Sequence, residues 1–301
     1  MKKKETKEQE YLLKEVAKAV RDRGFVAYEE SGESDSGTSF SRLILSADPN
    51  NFIAMPFDVN NMISLGLAKK DVESLTELAF ECIALLQKSI DAGLEQLEKR
   101  QYEDVRKKIS PFFMDNTNIK EYLKKVPNRE YLDYTIVYCY MDIDGEVAYT
   151  ITDKLAEKWG VTEQQLYEDS INNIKPKGPE SLKDKVDELY GGKDEVRADS
   201  VLMETAHVPM YMLYSNLMCG ASVILLPEFL EEVSKKLNGD YYLMTGTREF
   251  VIVVPKKEKW GGLEEIKNFN KSVADSFTEN TGRIPANIYY YRSLSRKLMK
   301  M

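Results

Sequence analysis

The sequence predicts an α+β fold, with mainly antiparallel sheets built from hairpins and with helices packed on one face. Three observations predict it: short apolar runs of period two, apolar stripes at helical spacing, and turn-forming residues between them. Residues 206–254 combine all three, because strand, turn, strand, capped helix, strand, tight turn and strand follow one another there. We therefore expect a C-terminal ββαββ unit followed by a helix.

The first part of the chain alternates helical and extended patterns. We expect helices over residues 11–20, 72–90 and 102–109 and strands at 25–28, 40–45 and 52–55. The apolar stripe of the long helix includes Leu75, Ala79 and Leu85. Pro56 is expected to stop the third strand. Residues 29–38 hold only small, hydroxyl and acidic side chains, which predicts a mobile hairpin loop.

The middle of the chain carries the strongest extended pattern. Residues 129–141 predict one long strand, with Tyr134 and Tyr138 on one face and Cys139 on the other. The Asp144-Gly145 pair predicts a type I′ turn, and the chain is expected to return as a strand over residues 147–151.

Capping residues then predict two helices. Thr152 is expected to cap a short helix that ends before Gly160. Thr162 and Gln165 have the spacing of a capping box, and the helix that they begin is expected to reach about Asn173.

Residues 175–199 lose apolar density and gain Gly, Pro and charge, which predicts a linker. This divides the chain into an N-terminal α+β region, 1–174, and a C-terminal ββαββ-α domain, 200–301. The two parts could instead share one sheet.

The C-terminal part contains the predicted ββαββ unit. We expect strands at 210–214, 221–225, 241–245, 248–254 and 288–291 and helices beginning at Pro227 and spanning 266–277. Pro227 suits the first helical position, and Asn238-Gly239 suits the helix end.

Composition bounds the classes of function. The formal charge of −8 in 301 residues makes nucleic acid an unexpected partner, because phosphate binding requires clustered Lys and Arg. Three cysteines without close spacing indicate free thiols in a reducing cytoplasm. The sequence has no apolar run long enough to span a bilayer, so we expect no membrane contact.

Motifs for common chemistries are incomplete. A single histidine, His207, excludes sites that need several histidines. Gly191-Gly192-Lys193 lacks the earlier glycine and the following Ser or Thr of a phosphate loop. Asp142-Ile143-Asp144-Gly145 places its glycine too early for a calcium loop, and a hairpin turn explains it better. We expect no catalytic residue, cofactor or metal.

Polar side chains remain at two turns of the predicted C-terminal sheet. If both turns reach the same edge, they form a candidate contact surface made of Tyr214, Asn216, Thr245, Thr247, Arg248 and Glu249. The alternative is that these are ordinary turn residues, with Asn216 capping its own turn.

Two stretches, 126–173 and 209–254, resemble a bacterial family of proteins that contain a domain of unknown function. The resemblance implies a shared fold, an origin in Gram-positive anaerobes and a frequent location near mobile elements, with no established activity. Relatives tend to place Pro-Ser-Ser-x-His-Glu at the last sheet turn, where this chain has Met244-Thr245-Gly246-Thr247-Arg248-Glu249. Arg248 at the histidine position argues against a hydrolytic role shared by the family.

These observations favour a non-catalytic cytosolic interaction protein that binds a protein partner, as an accessory or counter-defence factor of a mobile element. The alternative is a hydrolase-type enzyme that uses Glu249 with Arg248, or Cys219 with His207. A second alternative is an acidic mimic of nucleic acid, suggested by the charge of −8. The oligomeric state stays open.

Overall fold

The computed structural model describes residues 2–33, 39–46, 54–115, 120–142, 147–185, 209–215, 219–256, 263–275 and 284–301. The chain divides into two compact units. The N-terminal unit is residues 1–100 with 147–149, and the C-terminal unit is residues 101–146 and 150–301. Within the described ranges, no helix combines the length and the apolar character that crossing a bilayer requires.

The N-terminal unit holds three helices and a small sheet among its described residues. Its elements are α1 (Lys2–Asp22), β1 (Val26–Glu33), β2 (Ser39–Ser46), β3 (Met55–Phe57), α2 (Val59–Ser64) and α3 (Val72–Glu98). The strand order is β1-β2-β3, and both pairs are antiparallel. The core forms where the apolar stripe of α1 meets β2, β3 and α3, with Leu13, Val16, Leu45, Phe57 and Leu75 fully buried.

The long helix begins as its sequence dictates. The side chain of Asp71 accepts a 2.8 Å hydrogen bond from the backbone N–H of Ser74, which caps α3. Ile83 is buried and continues the row of Leu75 and Ala79, because steps of four residues keep side chains on one helix face. Leu85 is 67% exposed, so the expectation that it belongs to the buried stripe is wrong.

Two expectations for the first sheet need correction. The strand β1 continues to Glu33, which pairs with Ser39, where a mobile loop had been expected from residue 29. The antiparallel ladder with β2 holds these residues in a strand, and their small and acidic side chains do not indicate it. Pro56 lies inside β3 instead of ending it, and the outer position of β3 explains why the missing N–H is tolerated.

The C-terminal unit contains two antiparallel sheets and several helices. The elements from residue 101 onward are α4 (Tyr102–Val105), β4 (Ile109–Asp115), α5 (Lys120–Leu123), β5 (Asn128–Tyr131), β6 (Tyr134–Asp142), β7 (Val147–Thr150), α6 (Asp153–Trp159), α7 (Glu163–Asn173), β8 (Pro176–Ser181), β9 (Tyr211–Ser215), α8 (Pro227–Lys236), β10 (Tyr241–Met244), β11 (Phe250–Pro255), α9 (Leu263–Asp275), β12 (Ile288–Arg292) and β13 (Lys297–Lys300). Of these, the first three residues of β7 belong to the N-terminal unit. The smaller sheet has the path β4-β6-β5, and the larger has the order β13-β12-β10-β11-β9-β8. The predicted α+β class with antiparallel sheets is confirmed.

Helix caps are confirmed where local sequence predicted them. Thr152 caps α6, and Gly160 ends it in the left-handed conformation, with φ +67°. Thr162 and Gln165 form the predicted capping box at the start of α7, which ends at Asn173. Pro227 occupies the first turn of α8.

Residues 129–141 form a hairpin and not a single strand. Tyr131 pairs with Tyr134, and Leu132 adopts a positive φ of +53° in the turn between β5 and β6. No Asn-Gly or Asp-Gly pair marks this turn, so the sequence pattern runs across it without interruption. Ile109, expected at a helix end, instead begins β4, because a long-range pair with Tyr140 holds it in a sheet.

Residues 221–225 are the other misassigned segment. Gly220–Leu225 is a fully buried 3-10 helix, so the expected ββαββ unit is in fact strand, 3-10 helix, α8, strand and strand. A short, continuous apolar run is compatible with either a buried strand or a buried helical segment. The strands β10 and β11 pair as expected, from Tyr241 with Pro255 to Met244 with Ile252.

Part of the expected linker lies in the larger sheet. Residues Pro176–Ser181 form β8, which pairs with β9, while residues 186–199 lie outside the described residues. Pro176 and Pro179 lack a backbone N–H, and the register shifts between Lys177 and Glu180. This outer strand is therefore irregular, and it offers a poor edge for further pairing.

The end of the chain adds one element that periodicity did not predict. The expected strand at 288–291 is β12, and β13 follows it as a further antiparallel strand. Ile266 and Phe269 of α9 are buried against the sheet, whereas Phe277 lies outside the described residues.

Replacing Thr162, the residue that caps α7, tests how much this cap contributes to the stability of the protein. We expect Thr162→Ala to lower the free energy of unfolding by about 1 kcal/mol, because the N–H of Gln165 loses its side-chain acceptor. Urea denaturation monitored by tryptophan fluorescence measures the change. Ser64→Ala is the control, since that exposed hydroxyl donates only to Asn61 within its own helix. Equal effects from both variants would contradict the assigned cap.

Candidate functional site

The two turns of the candidate contact surface come together in the C-terminal unit. Tyr214 pairs with Phe250 between β9 and β11, so Ser215 and Glu249 lie at the same end of the sheet. The 3-10 helix after β9 joins them, because the N–H of Ala221 donates a 2.8 Å hydrogen bond to the Arg248 carbonyl.

Gly220 allows this close approach. A Cβ atom at that position would lie 1.6 Å from the Glu249 carbonyl oxygen and 3.3 Å from the backbone nitrogen of Ser215. No side chain can be accommodated there without moving the backbone of one neighbour. The glycine therefore fixes how the 3-10 helix packs against the turn before β11.

The two threonines of the candidate surface are buried. The Thr245 hydroxyl forms a short hydrogen bond of 2.5 Å with the Tyr134 hydroxyl. The backbone N–H of Thr245 donates to the Asn287 carbonyl at 3.0 Å. The Thr247 hydroxyl accepts a 3.1 Å bond from the Glu249 N–H. Both side chains hold the turn in place, and neither is available to a partner at the surface.

Arg248 points into the interior, where it is only 7% exposed. Its guanidinium carbon lies 5.9 Å from the centre of the Phe112 ring, in the range of a cation–π contact. Burial lowers the pKa of Arg248 to about 10, and the neighbouring Cys139, Cys219 and Glu249 partly oppose this shift. The side chain therefore stays protonated at neutral pH.

Two thiols lie near this charge, and two serine hydroxyls lie near one of the thiols. We call Ser110, Cys139, Cys219, Ser222 and Arg248 the Arg248 cluster; all five are buried. Ser110 pairs with Cys139 across β4 and β6, and both serine hydroxyls interact with the Cys219 thiol. Among the described residues, the Oγ atoms of Ser110 and Ser222 have no hydrogen-bond partner of ordinary geometry.

The thiols are poorly suited to nucleophilic attack. Burial raises the pKa of Cys219 to about 11, although its hydroxyl neighbours and Arg248 lower it in part. Burial also raises the pKa of Cys139, whose sulfur lies 3.8 Å from the Thr150 hydroxyl. Both cysteines therefore stay protonated at neutral pH, whereas a reactive cysteine needs a lowered pKa and access to solvent.

Tyr214 and Glu249 remain accessible, and charged side chains surround Tyr214. Its hydroxyl donates to both carboxylate oxygens of Glu180 at 3.0 Å, and Lys185 forms a 3.1 Å ion pair with Glu180. The amines of Lys177 and Lys185 lie 5.6 and 5.9 Å from the centre of the Tyr214 ring. We call this group, with the exposed Glu249, the Tyr214 face.

Partial desolvation affects both Glu249 and Tyr214. Loss of water contact raises the pKa of Glu249, and the nearby charge of Arg248 opposes that shift. The pKa of Tyr214 is also raised, first by desolvation and then by its hydrogen bond to Glu180. Glu180 is thus tied to Tyr214 and Lys185, and Glu249 is the acid of this face that is most open to a new contact.

The sequence located some of these residues and missed others. Asn216 and His207 lie outside the described residues, so the Cys219–His207 pair has no described geometry. Glu180 and Lys185 were missed because they lie in the expected linker. Ser110 was missed because its strand was assigned to a helix end, and Cys139 because a buried apolar environment alone gives no functional signal.

The fold and the interior position of the reactive groups define an α+β protein with antiparallel sheets and a buried arginine–thiol cluster. The model of a family of unknown function (DUF5688) matches residues 10–293, which is most of the chain. The protein belongs to this family. Comparison with curated proteins and with solved structures found no match. Among the described residues, no group of His, Cys, Asp and Glu is arranged to hold a metal ion.

Gly220→Ala tests the close backbone approach. We expect a loss of unfolding free energy of about 2 kcal/mol or more, because the new methyl group would overlap the Glu249 carbonyl. Urea denaturation measures it. A variant as stable as the natural protein would show that the 3-10 helix does not lie against this turn.

Thiol labelling tests the burial of the Arg248 cluster. At pH 8 we expect a thiol-specific reagent to modify Cys82, which is only partly buried, at least about tenfold faster than Cys139 and Cys219. Peptide mass spectrometry identifies the modified residues, and guanidinium chloride should equalise the three rates. Fast labelling of Cys219 in the folded protein would contradict its raised pKa.

Proposed function

We propose that this protein acts by binding another protein and performs no chemistry of its own, with the Tyr214 face as a contact surface. One observation carries the proposal. The groups that could catalyse a reaction, Arg248 and Cys219, lie in the interior, while Glu249 stays accessible and so does Tyr214, which lies beside two lysines.

The Tyr214 face has chemistry that suits a protein partner. Tyrosine supplies a large contact area with little loss of side-chain entropy, and it is enriched in interfaces. The Glu180–Lys185 ion pair holds the Tyr214 hydroxyl in place, so the ring is oriented before a partner arrives. The two lysines and the exposed Glu249, at the same end of the sheet, favour a partner surface of mixed charge.

The enzyme alternative meets two physical obstacles. A Cys219 nucleophile would need an accessible thiolate, but burial raises the pKa of this thiol to about 11. A Glu249–Arg248 pair would need both groups to face one substrate, yet Arg248 is buried and Glu249 is exposed. No described feature favours the nucleic-acid mimic.

A cytoplasmic location is part of the proposal. Its support is that Cys82, Cys139 and Cys219 are all free thiols, as in proteins of reducing compartments. A role as an accessory or counter-defence factor of a mobile element has its support in the family resemblance alone.

Site-specific photo-crosslinking tests the proposal. A benzophenone amino acid replacing Tyr214 should give one discrete protein adduct in cells of the native host, identified by mass spectrometry. The control carries the same probe in place of Tyr11, an exposed tyrosine of α1 in the other unit, and should not give this adduct.

Two results would overturn the proposal. One is the absence of a protein adduct at position 214, or the same adducts at both positions. The other is turnover in a hydrolase substrate panel that Glu249→Gln abolishes without loss of folding, since that would make Glu249 a catalytic group.

A further inference from the structure

The strand β13 forms one outer edge of the six-stranded sheet, at the opposite end from β8. It pairs with β12 in regular register, from Tyr289 with Lys300 to Arg292 with Lys297. Among the described residues, no strand pairs with its other side. Unlike β8, it contains neither a proline nor a register shift.

The register shows which backbone groups of β13 point away from the sheet. The N–H of Met301 donates to the Ile288 carbonyl at 3.0 Å. Hydrogen-bonded pairs alternate along an antiparallel ladder, so Met299 and Lys297 also face β12. The N–H and C=O groups of Leu298 and Lys300 consequently point outward, where an added strand could bind them.

This edge is held in position by its side chains. The Lys300 amine forms a 2.6 Å contact with Asp133, and Arg296 forms a 3.1 Å ion pair with Glu231. In the turn before β13, the N–H of Ser293 donates to Asp240 at 2.9 Å. An ordered edge loses little conformational entropy when a partner strand binds.

One face of the edge has apolar character. Met299 is 41% exposed and pairs with Tyr290, which pairs in turn with Tyr242 in the next strand. The rings of Tyr290 and Tyr242 lie 5.4 Å apart. A side chain placed opposite Met299 would therefore extend an existing cross-strand row. Leu294, in the preceding turn, is 86% exposed.

The charge of the edge indicates what kind of strand would fit. Arg292, Arg296, Lys297 and Lys300 are all exposed and lie within nine residues of one another, although the whole chain carries −8. Pairing two copies of β13 would gather Lys297 and Lys300 of both copies on one short ribbon, and like charges on neighbouring strands are destabilising. Arg296 and Lys300 already form ion pairs with Glu231 and Asp133, so an acidic side chain on an added strand would compensate Lys297 above all.

We propose that the outer edge of β13 takes up an extended, acidic segment of a partner protein as an added β-strand. Backbone bonds to Leu298 and Lys300 supply affinity, and acids beside Lys297 with an apolar residue beside Met299 supply selectivity. This surface is separate from the Tyr214 face and does not depend on the function proposed above.

Peptide binding tests the proposal directly. The probe is a fluorescein-labelled peptide of about seven residues, Glu-Thr-Val-Thr-Glu-Thr-Val, in which Glu and Val alternate along one face, because Lys297 and Met299 share a face of β13. The matched peptide has Lys in place of Glu. Fluorescence anisotropy should show binding of the Glu peptide at least about tenfold tighter than the Lys peptide, with the difference reduced by salt.

Two substitutions at one position separate the backbone from the side chain. Leu298→Pro removes an outward N–H without removing a bond to β12, and should weaken binding of the Glu peptide at least about tenfold. Leu298→Ala keeps the N–H and should retain binding within about threefold. Thermal melting verifies that both variants fold.

A charge exchange keeps the test decisive if the proline variant does not fold. Lys297→Glu should weaken the Glu peptide and strengthen the Lys peptide. Equal affinities for the two peptides, equal effects of proline and alanine in folded variants, or no binding of either peptide would overturn the proposal. Self-association that Leu298→Pro abolishes would also overturn it, because the occupant would then be a second copy.

Discussion

The direct contact between the Gly220 backbone and the Glu249 carbonyl is the constraint on which the C-terminal unit depends. It brings the 3-10 helix against the turn before β11, where the N–H of Ala221 bonds to the Arg248 carbonyl. In the same turn the Arg248 side chain is buried and Glu249 is exposed. The close approach at one glycine thus fixes the backbone position of the turn that carries both charged residues.

The interior that results is unusual in its polarity. A protonated guanidinium lies near two thiols, and two serine hydroxyls lie near one of these thiols. The aromatic ring of Phe112 offers further stabilisation of the charge. Burial of a charge is costly unless dipoles or other charges compensate it. Substituting one polar group of the Arg248 cluster should therefore weaken the interactions of the other members as well. The same desolvation that raises the thiol pKa values separates this cluster from the chemistry of reactive cysteines.

Local signals in the sequence were sufficient wherever a few neighbouring residues decide the structure. The caps at Thr152 and Thr162, the left-handed Gly160 and the proline at the start of α8 all depend on contacts within one turn. Segments whose structure depends on distant partners were misassigned. Ile109 belongs to a strand because of Tyr140, and Gly220–Leu225 is a 3-10 helix because it packs against the turn at Arg248.

In the candidate site, too, the sequence predicted what neighbouring residues decide and missed what distant residues decide. The sequence predicted that two turns would supply polar residues, and Tyr214 and Phe250 do pair at that end of the sheet. It could not predict that Thr245, Thr247 and Arg248 would be buried, because the segments that pack on this turn are distant in sequence. Tyr134 contacts Thr245, and the 3-10 helix, whose apolar run is equally compatible with a strand, contacts the backbone of Arg248. Glu180 and Lys185, which orient Tyr214, lie in a segment whose composition resembles a linker.

The irregular outer strand β8 limits how this protein can assemble. Growth of a fibre by edge-to-edge pairing needs two open edges on each molecule, so that every added copy offers a new one. Here Pro176, Pro179 and the register shift disrupt the edge at β8, and β13 is left as the regular one. Among the described strands, the six-stranded sheet can therefore be extended regularly at only one of its two edges, and fibre growth that uses both edges of this sheet in turn is disfavoured.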